Sequence, residues 1–177
     1  MSYRHCPLCA KPLSLRAHAG SLDVQRMSCP DEACGFVHWD NPVPVVAAVV
    51  EHEGDLILAR NKAWQAPFFA LITGFLEKTD TSPEDAVKRE VKEELGLDAT
   101  GAHFIGHYVF ERQNQLIVAY HVPAMGVITL GEELSEYRRI KPEQARYWPV
   151  ATGLALRDWL RSRGFEPQEM ALPARPN

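Results

Sequence analysis

Three glutamates in one short segment of this 177-residue chain have a spacing that permits chemistry. Glu90, Glu93 and Glu94 stand three and four positions apart, which places them on one face of a helix. Carboxylates this close repel one another unless a cation neutralises them, and their hard oxygen atoms suit magnesium or manganese. The same spacing is also common on a solvated helix face, so the three glutamates alone leave both interpretations open.

Local signals around the glutamates predict the helix that must position them. Ser82 is suited to cap the helix N-terminus, Pro83 to be its first residue, and Gly96 to follow its last turn. An apolar stripe would face the core and consists of Val87, Val91 and Leu95. We therefore expect a helix over 83–95 with the carboxylates beside its buried face.

A second cluster lies near the N-terminus, where all four cysteines fall in two close pairs: Cys6 with Cys9, and Cys29 with Cys34. Two such knuckles joined by a hairpin can place four thiolates around zinc. The apolar alternation on either side of Ala19-Gly20 indicates that hairpin. Unrelated buried cysteines and a redox pair are the alternatives. A unit of about forty residues has too little core to hold itself, so a metal would supply the missing stability.

The segment from Gly74 to Leu97 resembles the signature of the Nudix hydrolases, a glycine loop followed by Arg-Glu-apolar-x-Glu-Glu-x-Gly-apolar. Its second half reads Arg89-Glu90-Val91-Lys92-Glu93-Glu94-Leu95-Gly96-Leu97. The approach over 69–77 is similar to that of the family, with Ile72 and Thr73 where the pattern has proline and the first glycine. The hairpin with its two cysteine pairs is similar to the zinc ribbon of the family branch that includes NADH pyrophosphatases.

Two further departures from the family pattern affect the interpretation. The stretch from Gly74 to Arg89 is one residue longer than the pattern. The loop acid therefore falls on Asp80 when counted from the glycine and on Thr81 when counted from the arginine. The Ser-Gln-Pro-Trp array that follows the signature in NADH pyrophosphatases is absent, which leaves the identity of the substrate open.

The resemblance implies metal-dependent hydrolysis of the pyrophosphate bond in a nucleoside diphosphate linked to another moiety. ADP-ribose, NAD(H) and FAD are examples, and the product is a nucleoside monophosphate. Glu90, Glu93 and Glu94 would bind magnesium or manganese, with Glu77 as an additional ligand. Arg89 would hold the glutamates in register.

The general base and the substrate contacts follow less directly from the resemblance. The base is either Glu93 or one of three later acids, namely Glu132, Glu133 and Glu136. Of the later acids we favour Glu136. The residues expected to contact substrate are Arg60, Gly74 and Phe68. An arginine at the end of a strand can bind a phosphate and an aromatic ring can stack on a base, although a surface arginine and a core ring are equally ordinary.

The elements that must position these residues belong to an α+β fold. We expect a Nudix α/β/α sandwich with a mixed sheet, preceded by a small zinc ribbon. The predicted domains are the ribbon over 1–39, the hydrolase domain over 40–164 and a frayed tail over 165–177. Strands are expected over 45–50, 56–59, 105–110 and 116–122. A second helix near the C-terminus would have Thr152 as its N-cap.

The charge and hydropathy patterns exclude other classes of protein. Nineteen basic and 23 acidic residues give a net charge of −4, so unspecific attraction to nucleic acid or to an anionic membrane is not expected. The longest apolar run, 43–50, is too short to cross a bilayer, and we expect a cytoplasmic protein that acts on a small nucleotide. Nucleic acid would enter only as a capped RNA substrate. A non-catalytic nucleotide sensor is the alternative from another class, and the family makes a homodimer possible.

Overall fold

A computed structural model describes residues 3–18, 21–65 and 67–172 and divides the chain into two compact units, Met1–Pro42 and Val43–Asn177. The first unit contains an antiparallel hairpin of β1 (Ser14–His18) and β2 (Ser21–Ser28). The predicted turn at Ala19 and Gly20 lies outside the described residues. The small core of this unit consists of Cys6, Leu13 and Cys29, with Met27, Cys34 and Phe36 packed against them.

The second unit contains a seven-stranded mixed sheet. Its strands are β3 (Val43–His52), β4 (Asp55–Asn61), β5 (Ile72–Phe75), β6 (Asp98–Ala99), β7 (His103–Phe110), β8 (Gln115–Met125) and β9 (Leu134–Ile140). The main path runs β6-β8-β3-β4-β9, while β5 pairs with β3 and β7 pairs with β8. The β3–β8 pair is parallel and the other pairs are antiparallel.

Two helices cover the two faces of this sheet. They are α1 (Pro83–Leu95) and α2 (Thr152–Ser162), and a short parallel pair joins β10 (Arg146–Tyr147) to β11 (Gln168–Glu169). Side chains alternate along β3, so that Val46, Ala48 and Val50 pack in the core of α1 while Val45, Ala47 and Val49 pack in the core of α2. The predicted α/β/α sandwich with a mixed sheet is thereby confirmed.

The helix that carries the glutamates has the bounds expected from its sequence. Ser82 Oγ accepts a hydrogen bond from the backbone N–H of Asp85 at 3.1 Å. Gly96 closes the helix with φ at 70°, a left-handed conformation that glycine adopts without strain. The apolar stripe of Val87, Val91 and Leu95 is fully buried. The same signals that predict the helix therefore also determine which face is free to present the carboxylates.

Three elements differ from the expectations. The N-cap position of α2 is Ala151, and Thr152 is a buried first helical residue with no capping hydrogen bond, so the predicted threonine cap is wrong. Strand β5 was not among the predicted strands. Strand β9 was not predicted either, because five of its seven side chains are exposed and no apolar alternation marks it.

The segment after α2 packs on the domain as far as it is described. Phe165 and Met170 lie against the α2 side of the core, and β11 pairs with β10. This packing differs from the frayed tail expected over 165–177, because these two apolar side chains find space on the core. Residues 173–177 lie outside the described residues. Within the described ranges, no helix combines the length and the apolar character that a membrane span requires.

Candidate active site and metal centre

A cleft of about 1320 Å³ in the second unit contains the glutamates of α1. Glu90, Glu93 and Glu94 all line it, together with Gly74 and Glu77 from the segment around the end of β5. The side chain of Glu93 is 58% exposed and that of Glu90 only 12% exposed. The helix thus presents one open and one sheltered carboxylate to the same space.

Gly74 permits strand β5 to lie directly against Glu90. A Cβ atom at Gly74 would stand 1.8 Å from the carboxyl carbon of Glu90, so no other residue fits without moving that side chain. Gly74 pairs with Val46 across the sheet, which fixes its backbone. The substrate contact predicted for Gly74 stays a prediction, while its packing against Glu90 is a structural reason for a glycine.

Arg89 links the loop before α1 to two of the glutamates. Its Nε and Nη2 atoms donate to the carboxylate of Asp80, both at 3.1 Å. Its Nη1 atom donates to Glu90 at 2.7 Å and to Glu93 at 3.1 Å. Asp80 therefore takes the position of the loop acid, whereas Thr81 bonds to Asp85 instead. The extra residue of the loop is accommodated without loss of the contact between the acid and the arginine.

The electrostatics of this cluster fit a divalent cation. Burial raises the pKa of Glu94 to about 8, and the neighbouring charges of Glu90, Glu133 and Glu93 add to the effect. The pKa of Glu90 is also raised, mainly by burial and against the influence of Arg89. Carboxylates crowded in this way are stabilised in their ionised form by a cation, and three carboxylates offer the oxygen ligands that magnesium and manganese prefer.

Two of the predicted site residues lie outside the lining of the cleft, one a substrate contact and the other a general base. Arg60 Nη1 donates to Glu136 Oε1 at 3.0 Å across the β4–β9 pair. The structure thus brings neither Glu136, preferred as the later acid, nor Arg60, assigned to the substrate, together with the α1 glutamates in the cleft. Sequence spacing does not reveal that two residues 76 positions apart form an ion pair with each other.

The acid that the later segment does bring into the cleft is Glu133, with Glu132 beside it. The segment is held against the end of α1, where Gly131 N–H donates to the carbonyl oxygen of Glu94 at 2.9 Å. A Cβ atom at Gly131 would stand 2.5 Å from the carbonyl oxygen of Glu93, so only glycine allows this approach. The glycine just before the two acids is the sequence signal that favours them over Glu136.

Aromatic and amide side chains line the remainder of the cleft. Phe68 meets the buried Trp148 edge to face, with ring centres 5.2 Å apart, and the ring centre of Trp64 lies 5.9 Å from that of Phe68. The sequence interpretation included Phe68 but missed Trp148. The amide groups of the lining belong to Asn61, Gln65, Gln113 and Gln115, and Arg112 adds a second guanidinium to that of Arg89. Such a wall offers rings for a planar group and hydrogen-bonding partners for its edge.

The four cysteines of the first unit converge on one point. Their sulfur atoms all lie within 4.8 Å of one another, and in the described part of the chain no other set of three or more potential ligands is this compact. Cys6 and Cys34 are 3.6 Å apart and Cys9 and Cys29 are 3.5 Å apart, sulfur to sulfur. Zinc–sulfur bonds of about 2.3 Å in a tetrahedron require sulfur atoms about 3.8 Å apart, so the group fits zinc.

Comparisons with known proteins show which family shares this architecture. The NUDIX domain family model matches residues 41–161. The "NAD-capped RNA hydrolase NudC" of Stutzerimonas stutzeri (strain A1501) is 28% identical over 138 residues, which are 77% of this chain and 47% of that protein. The "CTP pyrophosphohydrolase" of Escherichia coli (strain K12) is 32% identical over 117 residues, which are 62% of this chain and 83% of that protein. The chain thus spans less than half the length of the NudC relative.

Solved structures show the same fold. The crystal structure of a NUDIX hydrolase from Nitrosomonas europaea matches 96% of this chain and 97% of its own, with a TM-score of 0.73 and 21% identity. The solution structure of the Escherichia coli ORF135 protein matches 70% of this chain and 91% of its own, with a TM-score of 0.56 and 24% identity.

Proposed function

The chain belongs to the Nudix family, and on that premise we propose that it hydrolyses the pyrophosphate bond of a nucleoside diphosphate linked to another moiety. The substrate class includes ADP-ribose, NAD(H), FAD and related compounds, and the product is a nucleoside monophosphate. The observation that carries the proposal is the meeting, in one cleft, of three α1 carboxylates with aromatic and amide side chains. The carboxylates suit a metal-bound pyrophosphate, and the aromatic and amide side chains suit the planar base of a nucleotide.

Glu90, Glu93 and Glu94 are the proposed ligands of magnesium or manganese, with Glu77 as an additional ligand. The bound metal would neutralise pyrophosphate oxygens and make a water molecule more acidic. Arg89 holds two of these carboxylates and Asp80 holds Arg89, so the arginine orients the ligands without contacting substrate.

The proton of the attacking water requires a base within the same cleft. Glu93 and Glu133 are the two proposed candidates. Glu93 is the most open of the three α1 glutamates in the cleft, and Glu133 lies close enough to Glu94 to raise the pKa of that residue. Glu136 is engaged by the guanidinium of Arg60 outside the cleft and is not proposed.

Phe68 is the proposed contact for the base of the nucleotide. Its ring contacts those of Trp64 and Trp148, which restrict its orientation before any ligand binds. A rigid ring binds a planar partner at a lower entropic cost than a mobile one.

The proposal is tested with a panel of ADP-ribose, NADH, FAD and CTP in magnesium or manganese, with release of the nucleoside monophosphate as the measurement. We expect turnover of at least one compound, and a loss of kcat of about 100-fold or more in Glu93→Gln. Lys88→Gln changes the charge of α1 outside the cleft and is the matched control, with kcat unchanged. Absence of turnover by the wild-type protein on the whole panel would overturn the enzymatic function.

Removal of a nucleotide cap from RNA is the second candidate function. It is favoured by the similarity to NudC, whose name describes hydrolysis of NAD-capped RNA. The two candidate functions are distinguished by comparing hydrolysis of an NAD-capped oligonucleotide with hydrolysis of free NAD at equal concentration. A higher kcat/KM on the oligonucleotide would favour capped RNA as the substrate. A non-catalytic nucleotide sensor would bind panel members without turnover.

The remaining assignments are proposals of the same kind. Cys6, Cys9, Cys29 and Cys34 are proposed to bind a structural zinc ion. A cytoplasmic location stays a prediction from the sequence, and a homodimer stays a prediction from the family resemblance.

A further inference from the structure

The junction of β4 and β9 contains an irregularity beside the cleft. The two strands pair regularly from Leu56 and Ile140 to Arg60 and Glu136, and the register then shifts so that Asn61 pairs with Leu134. A bulge of this type turns the side chains that follow it and is common next to functional sites. Here it brings the end of β4 beside Glu133, the residue before β9.

The backbone of Glu133 is held from two directions. On one side, Lys62 N–H donates to the carbonyl oxygen of Glu133 at 2.8 Å. On the other side, the backbone N–H groups of Thr129 and Gly131 donate to the last carbonyl oxygens of α1, on Leu95 and Glu94, at 2.8 and 2.9 Å. These backbone contacts hold the segment that contains Glu133 against the end of α1, and the rotation of the Glu133 side chain remains to be set.

The side chain of Asn61 supplies that last restraint. Its Oδ1 atom accepts the backbone N–H of Ala63 at 2.9 Å, which fixes the orientation of the amide. Because the oxygen is engaged by a donor, the nitrogen faces the other way, and Nδ2 donates to Glu133 Oε2 at 3.4 Å. The last residue of β4 therefore aims one neutral donor at the carboxylate of Glu133.

We propose that Asn61 is a positioning residue that orients the carboxylate of Glu133 beside Glu94 for the hydrolysis proposed above. A neutral amide holds the carboxylate without the strong charge neutralisation that a guanidinium imposes, as Arg60 does on Glu136. An apolar residue at position 61 would leave the carboxylate free to rotate. The inference rests on the proposed function, because Glu133 must act on the substrate or its water for its orientation to matter.

Asn61→Asp is the variant that isolates this contact. Aspartate keeps an oxygen for the Ala63 N–H but removes the donor and places a second carboxylate against Glu133. We expect kcat to fall about 10-fold or more while KM stays within about threefold. The same substitution in a Glu133→Gln background should cause no additional loss. Ser135→Ala removes the hydrogen bond of Ser135 Oγ to the Arg60 carbonyl at the same bulge and is the matched control, with kcat unchanged.

A structural measurement accompanies the kinetics. In nuclear magnetic resonance spectra, the side-chain amide signals of Asn61 should shift in Glu133→Gln and stay in place in Ser135→Ala. A wild-type kcat in Asn61→Asp, or an equal loss with and without Glu133, would overturn the positioning role. Unmoved Asn61 amide signals in Glu133→Gln would overturn the contact whether or not a substrate has been found. Failure of the proposed function would instead appear as absence of turnover by the wild-type protein.

Discussion

Gly74 and Glu90 show how the site depends on individual residues. The missing Cβ of Gly74 is the space that the Glu90 carboxyl group occupies, at a distance of 1.8 Å from where the Cβ would stand. The obstacle that an added methyl group meets is the far end of a side chain, which can rotate away. A substitution here therefore moves a proposed metal ligand without disturbing the surrounding backbone.

We expect Gly74→Ala to weaken manganese binding and to lower kcat/KM about 10-fold or more, because Glu90 must leave its place. The melting temperature should change little, since the clash is relieved by rotating one side chain. Manganese binding by electron paramagnetic resonance and thermal unfolding are the measurements. Gly101→Ala, which meets the tip of His103 outside the cleft, is the control. A stable variant with wild-type manganese affinity would contradict the role of this close approach.

The sequence predicts the members of the site unequally. Glu90, Glu93 and Glu94 were predictable because a helix brings positions i, i+3 and i+4 together by its geometry alone. Arg60 and Glu136 are distant in sequence, and their ion pair depends on strand register, which no local pattern records. Residues that come from several elements can be assigned to one site only when the positions of those elements in the fold are known.

The segment between β8 and β9 is the element on which the site most depends. Gly131 lies against the last turn of α1, where a Cβ would stand 2.5 Å from the carbonyl oxygen of Glu93 and 3.2 Å from the Cα of Glu94. These obstacles are backbone atoms, so no side-chain rotation relieves them. Gly131 thus differs from Gly74 in what a methyl group would displace.

Gly131→Ala is therefore expected to destabilise the protein by about 1–3 kcal/mol, as overpacking of a tight contact does. It should also displace Glu133 and so reduce kcat. Chemical denaturation measures the first effect and steady-state kinetics the second. Gly74→Ala provides the comparison, because it should lower activity at nearly constant stability. Equal stability of Gly131→Ala and the wild-type protein would contradict the backbone contact.

Elements with strong local signals were predictable, and those without were not. Helix α1 has a cap, a proline, an apolar stripe and a terminal glycine, and its bounds agree with the prediction. Strand β9 is an edge strand whose side chains are mostly exposed, so alternation is absent and the segment resembles a loop. The error over the cap of α2 has a similar origin: Thr152 is suited to capping by type, but it is buried in the core and the helix begins with it.

At the scale of the whole molecule, the two units differ in what can hold them folded. The second unit has two large apolar clusters, one on each face of its sheet. Among the described residues of the first unit, the core contains three buried hydrophobic residues, two of which are cysteines. Burial of so little apolar surface does not offset the loss of conformational entropy, so this unit depends on what binds its thiolates.

Removal of zinc should therefore unfold the first unit. We expect the backbone amide signals of residues 3–42 to collapse to unfolded positions when a chelator has taken up one zinc ion per chain, and to return when zinc is added back. Cys9→Ser, which removes one ligand, should weaken zinc retention and show the same collapse at a lower chelator concentration. Dispersed signals from the hairpin in protein shown by elemental analysis to be free of zinc would contradict the dependence, because the described contacts of this unit would then suffice to fold it without a metal.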